Sequence, residues 1–249
     1  MQFPTPCVFA HRGASGDAPE NTISSFQLAV AQGAHAVELD AKLCSDGKIV
    51  VIHDRTLKRT TNGDGYVHNT SFADLRALDA GSWFSDQYSG EKIPLLEEVL
   101  EAVAEQVFVN IEVTNYKTPR DTLPFDIAKL VKRMGLEERV LFSSFLPRNL
   151  QILKDLLPNT PVALLTEPKI YAVTQWLGIA NRTSPAIQHP YHSDVNDKML
   201  QKAHEHGKRI HTWTVNKEED MKQLFAIGVD GIFTDYPAVA LKLLKQNGA

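Results

Sequence analysis

An α/β barrel of eight parallel strands is the architecture that this sequence predicts. Three features carry that expectation. The chain has 249 residues, the usual length of a (β/α)8 barrel. Apolar runs with helical and strand periods alternate along most of it. Polar and charged residues gather where the strands end, and that is the face on which such barrels build their sites.

The barrel strands are expected at 7–10, 35–41, 107–113, 139–144, 161–165, 185–189, 208–214 and 229–234, with helices at 22–32, 95–105, 122–134, 148–157, 169–178, 195–206, 217–227 and 237–246. Gly33, Gly135, Gly207 and Gly228 each follow the last turn of a helix, where a left-handed residue closes it. Asn21-Thr22 supplies a cap for the first helix. Ile127, Leu130, Val131 and Met134 have helical spacing, whereas Val107-Phe108-Val109-Asn110-Ile111 is dense in β-branched and aromatic residues.

A ninth strand, 49–53, is one more than the barrel needs. Only Lys42 to Lys48 separates it from strand 35–41, too few residues for a parallel crossover. Ser45-Asp46-Gly47-Lys48 instead reads as a hairpin with Asp46-Gly47 as a two-residue turn. That turn sets Asp40 opposite His53 and Glu38 opposite Arg55, and puts Asp40 and His53 side by side at the barrel mouth. From Arg55 to Pro94 the rhythm breaks, apart from a short helical pattern near 71–78. This stretch is read as a small insertion (55–94) within one barrel domain spanning 1–249.

Composition narrows the function. The chain is 43% hydrophobic, with a net charge of −4 and a pI of about 6.1. Its basic residues are scattered, so no nucleic-acid partner is expected. No apolar run approaches the ~20 residues of a membrane span, and no stable membrane insertion is expected. Met1 to Pro6 lacks the basic and apolar regions of a secretory signal, and Cys7 and Cys44 form no metal or disulfide pattern. The expected location is cytoplasmic, with homo-oligomerisation left open.

The chemistry concentrates between Ala10 and Asp54. His11 and Arg12 follow the first strand, Glu38 and Asp40 lie near the end of the second, and His53 ends the ninth-strand segment. Arginine matches the planar fork of phosphate oxygens. A Glu-x-Asp pair on a strand shares one face and suits a hard divalent cation. Two histidines can divide acid and base work near neutral pH. Glu112 and Trp213 end later strands, with Trp213 read as a substrate wall. His204 and His206 read as surface residues, and His189 and His192 as structural, with a place lining the pocket as their alternative.

The segments His11-Arg12-Gly13, Pro19-Glu20-Asn21-Thr22, Val37-Glu38-Leu39-Asp40, Asp46-Gly47, His53-Asp54, Ile111-Glu112, Ser143-Ser144-Phe145, Trp213-Thr214-Val215-Asn216 and Thr234-Asp235-Tyr236-Pro237 occur in one order along almost the whole chain. In this the chain resembles the glycerophosphodiester phosphodiesterases, above all the short soluble bacterial type. The resemblance implies a TIM barrel with an insertion after the second histidine. It implies hydrolysis of small-molecule glycerophosphodiesters to sn-glycerol 3-phosphate and an alcohol. It implies a divalent metal, Ca2+ or Mg2+, on Glu38, Asp40 and Glu112, with His11 and His53 as the acid–base pair and Arg12 on the phosphate. Selectivity is expected on the glycerol side, against Trp213, with similar rates for choline, ethanolamine and glycerol head groups.

One position departs from the family pattern. The family usually carries a lysine two residues after the third metal carboxylate, and Thr114 stands there. Lys117 is the nearby stand-in, unless the metal and Arg12 suffice. The nearest rival activity is that of a related phosphodiesterase acting on lysophospholipids or phosphoinositides. Such substrates favour an exposed apolar rim or helix, which the sequence does not clearly show. A binding protein on an inactive barrel is the rival of another class, and the set of two histidines, one arginine and three carboxylates argues against it.

Overall fold

The ring of eight parallel strands closes. A computed structural model of the chain describes residues 3–184 and 186–246. In chain order the elements are β1 (Cys7–His11), α1 (Ile23–Ala31), β2 (Ala36–Leu43), β3 (Ile49–Val51), α2 (Phe72–Ala77), α3 (Leu96–Val103), β4 (Phe108–Val113), α4 (Leu123–Met134), β5 (Val140–Ser144), α5 (Pro147–Leu156), β6 (Val162–Thr166), α6 (Tyr171–Trp176), α7 (Ile179–Thr183), β7 (Ile187–Pro190), α8 (Asp197–Glu205), β8 (Arg209–Thr212), α9 (Glu218–Ala226), β9 (Gly231–Thr234) and α10 (Pro237–Gln246). The barrel runs β1-β9-β8-β7-β6-β5-β4-β2 and returns to β1, all parallel; β3 lies outside the ring, antiparallel to β2. The expected strand 185–189 begins at Ile187 among the described residues, and Pro185 lies outside them. The expected helix 169–178 is instead two short ones, α6 and α7, separated at Gly178, whose φ is +68°.

Side-chain parity separates the barrel's inside from its outside. Cys7, Phe9, Ala36, Leu141, Ala163, Ile187 and Phe233 pack together with Phe3 and Phe108. The alternate residues Ala10, Val37, Leu39, Ala41, Val109, Ile111 and Val113 join the layer under the helices. On β2 this parity sends Glu38 and Asp40 inward with Ala36, and on β4 it sends Glu112 inward with Phe108. The parallel register pairs Asp40 with Glu112, so adjacent strands deliver carboxylates at the same height.

Two histidines fill the interior below the mouth. His189 and His211 are fully buried, 5.3 Å apart between ring centroids, and pack against Phe9. Burial, reinforced by His211, pushes the His189 pKa well below its ordinary value, and burial likewise lowers His211 to about 3. Both are neutral core residues, as first read for His189. His204 is a surface residue paired with Asp230 at 2.8 Å.

The hairpin forms with a different register from the expected one. Ala41 pairs with Val51, Lys42 with Val50 and Leu43 with Ile49. The loop is three residues, Ser45-Asp46-Gly47, closed by Gly47 N–H donating to Cys44 O at 3.1 Å and Cys44 N–H to Lys48 O at 3.0 Å. Only Gly47 is left-handed, at φ +76°, whereas a two-residue type I′ turn needs two such residues. Contacts with the following segment hold the loop, since Ser45 N–H donates to Thr70 O and Phe72 N–H to the Asp46 carboxylate. Ile52, not His53, therefore meets Asp40, through Ile52 N–H to Asp40 O at 3.0 Å, and Arg55 does not pair with Glu38. Beyond β3 the chain carries its own apolar cluster of Ile52, Leu57, Val67, Leu75, Ala80 and Ile93.

Candidate active site

Strand parity delivers three carboxylates to the mouth of the barrel. One oxygen from each of Glu38, Asp40 and Glu112 lies within 4.8 Å of the others. Glu38 Oε2 accepts the Arg12 backbone N–H at 2.9 Å, while Glu38 Oε1 is buried with no partner. Asp40 Oδ2 accepts from Asn21 Nδ2 at 2.9 Å, and Glu112 Oε1 accepts from the Tyr116 hydroxyl at 2.6 Å.

Three carboxylates at this spacing oppose one another's ionisation. Burial, then Asp40 and Glu112, drives Glu38 well above its ordinary range. Burial, then Asp40, raises Glu112 to about 7. Burial acts in the same direction on Asp40, but the Arg12 guanidinium, helped by His53 and Lys42, outweighs it and holds Asp40 at about 2. A hard divalent cation takes oxygen ligands of this kind and would relieve the repulsion, and the orphaned Glu38 Oε1 is an open donor for it.

Arg12 reaches the cluster through a strained turn. Its φ is +58°, and Gly13 follows at +83°. A Cβ on Gly13 would fall 2.4 Å from Ser25 Oγ, so only glycine fits. The guanidinium is held by Glu20 at 3.0 Å through Nη1 and by Asp40 at 3.2 Å through Nε. Glu20 is gripped in turn by Arg59, whose other contacts go to Asp54 at 2.8 and 2.9 Å.

Asp54 closes this chain of charges onto His53, whose Nδ1 meets Asp54 Oδ1 at 2.7 Å. His11 Nδ1 meets Asp235 Oδ1 at 2.6 Å, and Asn216 fixes Asp235 with a side-chain bond of 2.6 Å and a backbone bond of 2.9 Å. A carboxylate on Nδ1 sets the tautomer and leaves each Nε2 available. His11 Nε2 lies 4.0 Å from Glu38 Oε2.

Both histidines line one cavity of about 530 Å³, together with Arg12, Glu38 and Glu112. Its apolar wall includes Trp213 and Phe145, packed edge to face at 5.4 Å. Trp213 is fixed further by Nε1–H donating to His189 O at 2.9 Å. Glu167, just past β6, also lines this cavity.

All seven residues singled out from the sequence thus converge here. Asp235, Glu20, Arg59, Tyr116, Glu167 and Lys42 join them without having been assigned a role. Asp235 and Glu20 stood inside noted segments, and strand parity was the available signal for Lys42. Arg59 had none, because its partners Glu20 and Asp54 come from separate loops.

Thr114 has a cation beside it from another strand. Lys117 is exposed and, like Lys42, lines the neighbouring cavity. The cation next to Thr114 is Lys42, from the neighbouring strand, whose Nζ donates to Thr114 Oγ1 at 2.5 Å. Thr114 Oγ1 donates in turn to Ala41 O at 2.7 Å. Burial lowers the Lys42 pKa, against the pull of Asp40 and Glu112.

Residues 11–239 match the glycerophosphoryl diester phosphodiesterase family. The chain is 37% identical over 242 residues to a glycerophosphodiester phosphodiesterase of Caldanaerobacter subterraneus subsp. tengcongensis, covering 97% of this chain and 98% of the other. A phosphodiesterase of Oleispira antarctica, solved with its product sn-glycerol-3-phosphate, has a TM-score of 0.89 to this chain at 32% identity, covering 97% of each. A lysophospholipase D of Rattus norvegicus is 28% identical over 281 residues, covering 96% of this chain and 86% of the other.

Proposed function

The chain belongs to the glycerophosphoryl diester phosphodiesterase family and is a phosphodiester hydrolase of that kind; we propose that it releases sn-glycerol 3-phosphate and an alcohol from glycerophosphodiesters by metal-dependent, two-histidine catalysis. The observation that carries this reading is the pair of histidines, each held by an aspartate, that line one cavity beside three converging carboxylates.

Glu38, Asp40 and Glu112 would hold the ion, Ca2+ or Mg2+, which when bound polarises the phosphate and offsets its growing charge. Arg12, held by Glu20 and Asp40, presents its remaining donors to the non-bridging oxygens. Lys42 adds a second cation beside the phosphate, in place of a lysine at Thr114. One histidine removes a proton from the nucleophile and the other protonates the departing alcohol oxygen. Water and the glycerol C2 hydroxyl both suit this arrangement as nucleophile. Trp213 and Phe145 wall the glycerol arm, with Glu167 offering acceptors to its hydroxyls. The segment 55–94 serves as an insertion that flanks the mouth.

The test is release of glycerol 3-phosphate from glycerophosphocholine with added Ca2+ or Mg2+. Activity is expected to disappear on chelation and return with metal. Full turnover after exhaustive EDTA treatment overturns metal dependence.

Hydrolysis of lysophospholipids is the second reading, and one observation favours it. Ile170, Val173 and Leu177 are nearly half exposed and Trp176 is 84% exposed, along a stretch that begins three residues past Glu167. Described helices include none long and apolar enough to cross a membrane, so this face would meet acyl chains only at a surface. Lysophosphatidylcholine turning over faster than glycerophosphocholine would favour this reading.

A further inference from the structure

A second cavity, of about 400 Å³, opens beside the catalytic one, and His53 and Tyr116 line both. Its walls come from the end of β2, the segment from His53 to His68, and the loop after β4. The charge on those walls is unbalanced. Lys42, Arg55 and Lys117 line the cavity, and none has a carboxylate within ion-pair distance among the described residues. Lys42 bonds only to neutral Thr114, and Arg55 lies over the Tyr66 ring, 5.5 Å from its centroid.

The two carboxylates in the same lining are already committed. Asp54 is held by Arg59 and His53. Asp121 accepts from Asn115, Thr118 and the Leu123 backbone. The catalytic cavity has the opposite character, with an aromatic wall and a carboxylate, Glu167, that has no ion-pair partner among the described residues.

A phosphodiester has two alcohol arms. With the glycerol arm against Trp213, the other arm must pass His53, the boundary between the cavities. We propose that the second cavity is the head-group subsite, and that it selects alcohols bearing an anionic group, a carboxylate or a phosphate. This rests on the diesterase reading above and names the substrate class for it. Neutral head groups such as glycerol complete no ion pair with Arg55 and Lys117, and cationic ones such as choline and ethanolamine are repelled by them. A carboxylate or phosphate reaching Arg55 and Lys117 completes ion pairs that the protein leaves open.

Two substrate pairs that each differ by one anionic group test this. Glycerophosphoserine is compared with glycerophosphoethanolamine, and glycerophosphoinositol 4-phosphate with glycerophosphoinositol. The kcat/KM ratio within each pair is expected to favour the anionic member by roughly tenfold at low ionic strength and to shrink as salt is added. In an Arg55→Gln, Lys117→Gln double variant both ratios should fall to near one. A preference in one pair alone identifies which anion is selected. Ratios near one in the wild-type enzyme, or ratios that persist in the double variant, overturn the subsite. Absence of turnover on every diester, with metal present, overturns the diesterase reading itself and the subsite with it.

Discussion

His11 and His53 each spend one ring nitrogen on an aspartate and keep the other free, and this matters more to the chemistry than their separation in sequence. Asp235 fixes His11 from the last strand end, and Asp54 fixes His53 from the next residue. If one imidazole is acid and the other base, the rate is bell-shaped in pH, and His11→Ala and His53→Ala each lower kcat by roughly 10²–10⁴-fold. Circular dichroism should show both variants folded. Near wild-type turnover in either would remove that histidine from the mechanism. Arg59→Met tests the charges behind His53, since it strips Glu20 and Asp54 of their shared cation. Its expected signature is a displaced pH profile together with lower kcat, which a purely structural role would not give. His11, His53, Arg12, Glu38 and Asp40 were legible because each stands near the end of an apolar run, whereas Glu112 was singled out through the family resemblance. The sequence could not reveal that Asp235 serves His11, because the partners are 224 residues apart and no local pattern links them.

Strands position these residues through parity and register, and the two were unequally legible. Parity follows from alternation, so the inward placement of Glu38, Asp40 and Glu112 could be read directly. Register depends on turn geometry, and one extra loop residue at Ser45-Asp46-Gly47 moved the hairpin by one. His53 still reaches the site because β3 ends at Val51, so the chain has left the ladder before His53. The parallel register of β2 and β4 has a further consequence. Asp40 faces Glu112 and Ala41 faces Val113, so the next step brings Lys42 to Thr114. Lys42→Met is expected to reduce kcat/KM by roughly tenfold or more, the loss of a charged hydrogen-bonding group at the phosphate. Exchanging the two residues, Lys42→Thr with Thr114→Lys, should recover part of it, because the cation returns to the same strand boundary. A Lys42→Met enzyme with unchanged kcat/KM would show that Lys42 only fills space.

Across the whole molecule, the barrel gathers carboxylates that its own cations do not balance, so stability and metal binding should be coupled through pH. Glu38 and Glu112 have raised pKa values, Glu112 at about 7. The folded chain therefore keeps protons that the unfolded chain has released, and metal-free stability falls as pH rises through that region. Asp40 works in the other direction. Held at about 2, it adds stability that is lost only on strong acidification, so it contributes no slope near neutrality. A divalent cation replaces the retained protons, and its binding strengthens as they leave. Without metal, Tm should decline between about pH 4.5 and about pH 7 and level off above that. With Ca2+ or Mg2+ at about a hundred times its Kd near neutral pH, the folded state gains roughly 2.7 kcal/mol, and at that fixed concentration the metal-induced rise in Tm should shrink as pH falls. Glu112→Gln removes one titrating ligand, so it should flatten the metal-free decline and weaken metal binding together. Thermal melts across pH, with chelator or with metal, check both effects. Identical Tm profiles with and without metal would mean that no ion joins Glu38, Asp40 and Glu112, and that the barrel tolerates their protonated forms as its resting state.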